Sequence, residues 1–191
     1  RKSAGFMLRT SGYVVHTYAT GFEFLKAAST AQIGCVLLDV RMPDLDGLEV
    51  QAAMRQRGIT LPVVVLTGHG DVSVAVQAMK AGAIDFLEKP FEKAAILDAI
   101  ERSFARIDNA QSGAAEEADA RVKLAVLTPR EREVLDGLTQ GYPNKTIAFD
   151  LGISTRTVEV HRSSLMLKLS AKSLSDVLRL AFAAGIRQDK N

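Results

Sequence analysis

Cys35-Val36-Leu37-Leu38-Asp39 places a lone carboxylate at the end of a short apolar run in a chain of 191 residues. Gly34 precedes the run and the turn Arg41-Met42-Pro43-Asp44 follows it. Apolar at every position before the acid, it reads as a strand buried on both faces of a parallel sheet. Ligand chemistry in open α/β sheets sits at the carboxyl ends of such strands. Two later apolar runs also end in polar groups: Val63-Val64-Val65-Leu66 in Thr67, and Ile84-Asp85-Phe86-Leu87-Glu88 in Lys89-Pro90. An acid, a hydroxyl and an amine at the ends of successive strands together read as a site that accepts a phosphoryl group. That ordering is far more specific than any of the three residues alone.

Working outward, residues 3–11, 21–29, 48–57, 71–81 and 92–106 have helical spacing, and residues 13–18, 33–39, 62–67 and 84–88 read as strands. Their alternation predicts an α/β doubly wound parallel sheet, with right-handed crossovers placing helices on both faces. Residues 108–120 have no large apolar side chain and read as a linker with some helical character. Beyond them only helices are predicted. Thr128-Pro129-Arg130-Glu131 is a capping box with proline at the first helical position. Further helices span 144–151, about 155–169, and 173 to about 184. Helix, short glycine-containing turn, helix is the helix-turn-helix pattern. The predicted division is residues 1–107 as the α/β domain, 108–122 as linker and 123–191 as an all-α helix-turn-helix domain.

The length allows one or two domains, each able to bury a core. No apolar run approaches the ~18 residues of a membrane helix, and the N-terminal residues lack the apolar core of a signal peptide. No membrane partner is expected. Cys35 is the single cysteine, which excludes an internal disulfide framework. It points to a reducing, cytoplasmic setting with the thiol as a small core residue. The net charge of +2 hides an asymmetry: residues 1–120 hold 12 basic and 15 acidic side chains, residues 121–191 hold 12 and 7. A basic second part suits nucleic acid.

Leu38-Asp39-Val40-Arg41-Met42-Pro43-Asp44-Leu45-Asp46-Gly47 resembles the phosphoacceptor loop of bacterial response-regulator receivers. Thr67-Gly68-His69-Gly70-Asp71 and Lys80-Ala81-Gly82-Ala83-Ile84-Asp85-Phe86-Leu87-Glu88-Lys89-Pro90-Phe91 resemble its later segments. The whole chain is similar to a two-component response regulator of the FixJ type, in the LuxR/NarL class. The resemblance implies that Asp39 accepts a phosphoryl group from a sensor histidine kinase, forming an acyl phosphate. It gives Lys89 the role of cation for the phosphoryl oxygens and Thr67 that of hydroxyl donor. Phe86 falls at the aromatic switch position, and Lys89-Pro90 at a cis peptide. A flavodoxin-like strand order is also implied. The resemblance fails at the start of the chain. The family's first strand ends in an acidic pair that holds Mg2+, and no such pair precedes residue 3. Asp39 and the backbone carbonyl of Arg41 remain as metal contacts, so Mg2+ is expected to be weak or absent. A chain that begins late is expected, the alternative being a degenerate receiver that works without phosphorylation. Asp44 and Asp46 read as turn and cap residues, and His69 as a loop residue.

In the second part, Leu127-Thr128-Pro129-Arg130-Glu131-Arg132-Glu133-Val134-Leu135 resembles the opening of a LuxR-type helix-turn-helix. Asn144-Lys145-Thr146-Ile147-Ala148 and Ile153-Ser154-Thr155-Arg156-Thr157-Val158-Glu159-Val160-His161 resemble its scaffold and recognition helices. Helical geometry agrees independently. Val158, Leu165 and Leu169 form one apolar stripe, while Arg156, Glu159, Val160 and Ser163 lie opposite it, free to enter a major groove. By family position Glu159, Val160 and Ser163 face base edges. Lys145, Thr155, Arg156, Arg162, Lys168 and Lys172 are candidates for phosphate contacts, which position without specifying. His161 is either a packing residue or a DNA contact. The last helix carries Leu174, Val177, Leu178, Leu180, Ala181 and Phe182, apolar on more than one side. One side covers the domain core; the other can join a second copy, and a palindromic operator would mirror that two-fold. The implied partners are DNA, a cognate sensor kinase, RNA polymerase and, on activation, a second copy, through a receiver face around residues 72–80 and 84–88.

Two other readings compete. An Asp-nucleophile phosphatase on the same layout needs a second carboxylate two residues after Asp39, where Arg41 stands. A phosphate sink or interaction module leaves the helix-turn-helix unexplained. The preferred reading is a phosphorylation-controlled transcription regulator, not an enzyme.

Overall fold

The computed structural model describes residues 2–28, 34–68, 72–108 and 113–186. Their order is α1 (Lys2–Thr10), α2 (Gly21–Ala28), β1 (Val36–Asp39), α3 (Gly47–Gln56), β2 (Val63–Thr67), α4 (Val72–Lys80), β3 (Asp85–Glu88) and α5 (Lys93–Asp108). Five helices follow: α6 (Gly113–Leu124), α7 (Pro129–Thr139), α8 (Asn144–Leu151), α9 (Thr155–Lys168) and α10 (Leu174–Ala183). Ser29, Ile33, His69 and Asp71, each given a place above, lie outside the described residues.

The three strands are parallel in the order β1-β2-β3, with Val36 opposite Val63 and Val64 opposite Asp85. Successive side chains point to opposite faces. Leu38, Val63, Val65 and Phe86 face Leu25 of α2, Val50 and Met54 of α3 and Val76 of α4. Val64, Leu66 and Leu87 face Leu8 of α1 and Ile96, Ala99 and Ile100 of α5. The sheet is therefore covered on both faces, which explains why its strands are almost continuously apolar. Cys35 lies on the α5 side, where burial raises its thiol above the ordinary range against a hydrogen bond with Ser103. It is half-buried and packs against that core.

Residues 13–18 do not form the expected strand. Tyr13 and Val15 rest on the core under α1, but a strand needs a neighbour to take its backbone hydrogen bonds. Among the described residues no strand lies along the outer edge of β1.

Of the linker expected over residues 108–122, residues 113–122 lie in α6, which agrees with the helical character expected there. Alanine-rich α6 has high helix propensity, and Glu117 and Arg121 pair one turn apart at 2.5 Å. Ala120, Leu124 and Leu127 are buried, and Arg121 Nε donates to the Ala184 carbonyl at 3.3 Å. Helix α6 is thus docked on α10; its larger apolar anchors, Leu124 and Leu127, lie past the stretch that reads as linker.

Helices α7 to α9 enclose Val134, Leu135, Leu138, Ile147, Val158 and Leu165. The capping box forms as expected: Glu131 N–H donates to Thr128 Oγ1 and Thr128 N–H to Glu131 Oε2. Helix α10, capped by Ser173, packs on α6, α7, α4 and β3. The side of α10 expected to meet a second copy is covered by the chain's own α/β half.

Candidate phosphoacceptor site and nucleic-acid interface

Asp39 ends β1, Thr67 ends β2 and Lys89 follows β3, so the sheet brings all three to its carboxyl edge. Lys89 N–H donates to the Thr67 carbonyl at 2.9 Å, tying the two strand ends together. From there the Lys89 side chain reaches past β2, and its Nζ donates to Asp39 Oδ2 at 2.5 Å. Arg41 N–H donates to Asp39 Oδ1 at 3.1 Å, which orients the carboxylate. Asp39 remains about two-fifths exposed, at 38 %, and open to a phosphoryl donor. Thr67 is buried and its hydroxyl donates to the Gly68 carbonyl at 3.2 Å. Phe86 is buried toward α4, and Lys89-Pro90 is cis.

The loop between β1 and α3 is held close. Asp44 adopts φ 70°, a left-handed turn conformation that Asp tolerates. Asp46 caps α3 in a capping box with Glu49. Both acids are thereby used in the turn. Gly47 N–H donates to the Val40 carbonyl at 2.9 Å, and a Cβ at Gly47 would lie 2.6 Å from the Asp39 carbonyl oxygen. Only glycine lets α3 start this near the acceptor strand.

In the helical half, Thr155, Arg156, Glu159, Val160 and Ser163 are exposed on one side of α9, and Val158 and Leu165 are fully buried on the other. Arg156 lies 3.7 Å from Glu159. Lys145 and Lys172 are exposed. Two other cations already have protein partners. Arg162 Nη1 donates to Asn144 Oδ1 at 2.7 Å, bracing α9 against α8. Lys168 Nζ donates to Glu131 Oε2 at 2.8 Å, bracing α9 against α7. Glu131 also accepts from Ser164 Oγ at 2.6 Å. These bonds, Lys168 first, hold the Glu131 carboxyl down to about 2. His161 is partly buried.

Sequence reasoning missed Asp85, buried at the head of β3, and its α10 partners Ser175 and Arg179. The local signal was an acid set between apolar residues, Ile84 and Phe86; its α10 partners stand some ninety residues later and no local pattern announces them.

A phosphoacceptor-type edge on a doubly wound sheet, joined to a helix-turn-helix with an exposed recognition face, defines a receiver coupled to a DNA-binding domain. Residues 1–101 match the family model for the response regulator receiver domain, and residues 125–181 that for bacterial regulatory proteins of the luxR family. The chain is 46 % identical over 185 residues to the transcriptional regulatory protein FixJ of Rhizobium meliloti (strain 1021), covering 97 % of this chain and 91 % of that protein. It is 44 % identical to the tetrathionate response regulatory protein TtrR of Salmonella typhimurium, over 93 % of this chain and 84 % of that one. Among solved structures, full-length FixJ from B. japonicum superposes with a TM-score of 0.55 at 43 % identity, covering 98 % of this chain and 92 % of the other. The chain belongs to the response-regulator family with a receiver domain and a LuxR-type DNA-binding domain. It is a transcription regulator, not an enzyme.

Receiver domains generally bind Mg2+ at the phosphorylation site. The described residues do not fit that ion well. Asp39 is the only carboxylate in the cluster just described; both its oxygens accept from Lys89 or Arg41. No group of three or more His, Cys, Asp or Glu side chains suited to a metal occurs among the described residues. Nor is any described helix long and apolar enough to cross a membrane.

Proposed function

We propose that this regulator converts phosphoryl transfer at Asp39 into altered DNA binding. The observation that carries the reading is the Asp39–Lys89 pair, 2.5 Å apart at the carboxyl edge with Thr67 on the strand between. A carboxylate oxygen attacks the phosphorus of the kinase's phosphohistidine, the P–N bond breaks, and an acyl phosphate forms as the imidazole leaves. The Lys89 ammonium is placed to neutralise phosphoryl oxygens. Thr67 can turn its hydroxyl from Gly68 toward them. Incubation with acetyl phosphate followed by phosphate-affinity electrophoresis should show an adduct on the chain and none on Asp39→Asn. Equal labelling of Asp39→Asn would overturn the assignment.

The functional units on this reading are residues 1–107 and 123–191, with 108–122 between them. Helix α9 enters a major groove, Glu159, Val160 and Ser163 meet base edges, and Lys145, Thr155, Arg156 and Lys172 meet phosphates. Arg162 and Lys168 act first as braces and reach the backbone second. The wider partner set is a cognate histidine kinase, a palindromic operator and RNA polymerase, in the cytoplasm. Control acts on assembly. The recognition side chains are exposed, whereas α10 and the α4–β3 face, the surfaces the family resemblance assigns to dimerisation, lie against each other within one chain. Phosphorylation that frees them yields a dimer. Sedimentation of the chain with and without acetyl phosphate should show a monomer becoming a dimer; a mass unchanged by a confirmed adduct would refute control by assembly.

A further inference from the structure

The seat of α10 on the receiver contains one deeply buried charge. Asp85, the first residue of β3, is 1 % exposed. Its Oδ1 accepts the Phe86 N–H at 2.9 Å and the Ser175 hydroxyl, and its Oδ2 accepts from Arg102 and, at 3.3 Å, from Arg179 Nη1. Arg102 lies in α5, within the receiver. Ser175 and Arg179 lie in α10, within the DNA-binding half. A carboxylate withdrawn from water must be paired and hydrogen-bonded, and here the two halves of the molecule share that task. Arg179 is held ready for it, since its Nη2 donates to Asp176 Oδ1 at 2.8 Å one turn away.

Two neighbouring features show how closely the halves meet. A Cβ at Gly141, in the turn between α7 and α8, would lie 2.9 Å from Ser73 Cα of α4. Arg162 of α9, whose guanidinium burial pushes down, lies within electrostatic reach of Glu88 at the far end of β3. The residue after Asp85 is Phe86, on the opposite face and packed into the core beside α4.

We infer that Asp85 is an interdomain latch: Ser175 and Arg179 hold α10 against β3 by hydrogen bonds to its carboxylate, and Arg102 pairs with the same carboxylate from within the receiver. The inference rests on the reading that the closed chain is the inactive form. The geometry makes the α10 partners the closing contacts, whereas Arg102 joins Asp85 to α5 inside the receiver and spans no interface.

The test compares three unphosphorylated variants of the 191-residue chain by hydrogen exchange of α4, β3 and α10. Ser175→Ala/Arg179→Ala and Asp85→Asn should raise exchange there by roughly tenfold or more, the scale of lost bonds to a charged group. Arg102→Ala should leave α10 as protected as before, because Arg179 and Ser175 still reach the acid. Unchanged exchange in the double α10 variant would overturn the latch. So would equal opening by Arg102→Ala, which would make the cluster a support of the receiver alone. Far-UV circular dichroism on every variant identifies loss of fold, and the α10 double variant leaves the receiver's own sequence intact. Binding to a labelled mixed-sequence duplex separates the two ideas. Opening without tighter DNA binding keeps the latch and rejects the closed form as inactive.

Discussion

Single side chains in this molecule are often asked to do two things, and the partners decide which comes first. Lys168 looks like a phosphate contact by position, yet its ammonium is bonded to Glu131. Lys145 is exposed. Lys145→Ala should therefore weaken all duplexes alike and lower the salt slope by about one. Lys168→Ala should instead show mainly as a lower unfolding midpoint. Affinity across a salt series, with thermal unfolding alongside, separates the two. Glu159→Ala should relax preference at one or two base pairs by roughly 1–3 kcal/mol in a binding-site selection. Glu131 also makes a pH prediction. Its carboxyl is held at about 2 against an ordinary 4.5, mainly by Lys168 and then by Ser164 and Thr128. A depressed value means that the stabilisation is complete above 4.5 and is lost as the pH falls toward 2. Glu131→Gln should cost about 1–3 kcal/mol near neutral pH, and the gap from the parent should close below pH 4.5 in urea titrations. A gap independent of pH would show that the charge is not what matters.

At the scale of elements, the acceptor loop depends on how α3 begins. The Asp46–Glu49 capping box sets its first turn, and Gly47 lets that turn lie on the Asp39 and Val40 backbone. Gly47→Ala must push against backbone atoms, which cannot rotate away. It should cost about 1–3 kcal/mol in stability and slow labelling by acetyl phosphate, because α3 and the end of β1 cannot both keep their places. Normal stability together with normal labelling would show that the loop yields more easily than the contact implies. Helix α6 illustrates a second point. It has little apolar surface of its own, and its buried residues Ala120 and Leu124 place it on α10. It follows α10 rather than tethering it loosely.

For the whole molecule, the decisive feature is continuity. One cluster of buried side chains runs from Leu38, Val65 and Phe86 in the sheet through Val76 and Met79 of α4 to Val177, Leu178 and Ala181 of α10 and on to Val134 and Leu165. Two halves that share a core should unfold together. Calorimetry of the unphosphorylated chain should therefore show one transition, and phosphorylation should divide it into two. Two well-separated transitions before phosphorylation would mean that the halves are only lightly joined.

Much of this was legible in the chain alone. The polar groups Asp39, Thr67 and Lys89 at or just after the strand ends, the capping box at Thr128, and the faces of α9 all follow from local period and cap chemistry. Those signals depend on residues a few positions apart. The cis Lys89-Pro90 bond accords with the resemblance. Residues 13–18 carried strand propensity, but pairing depends on a neighbour, and no propensity supplies one. The helical character expected of the linker is present in α6, but its docking on α10 was not legible: residues 108–122 hold too little apolar surface to bury a core, and the surface they rest on belongs to α10. The partnership of Asp85 with Ser175 and Arg179, the bracing of Lys168 by Glu131, and the closure of α10 on α4 and β3 join residues tens of positions apart. Local sequence determined which groups can act; only tertiary packing decided which of them are already engaged, because burial and pairing are properties of neighbours in space.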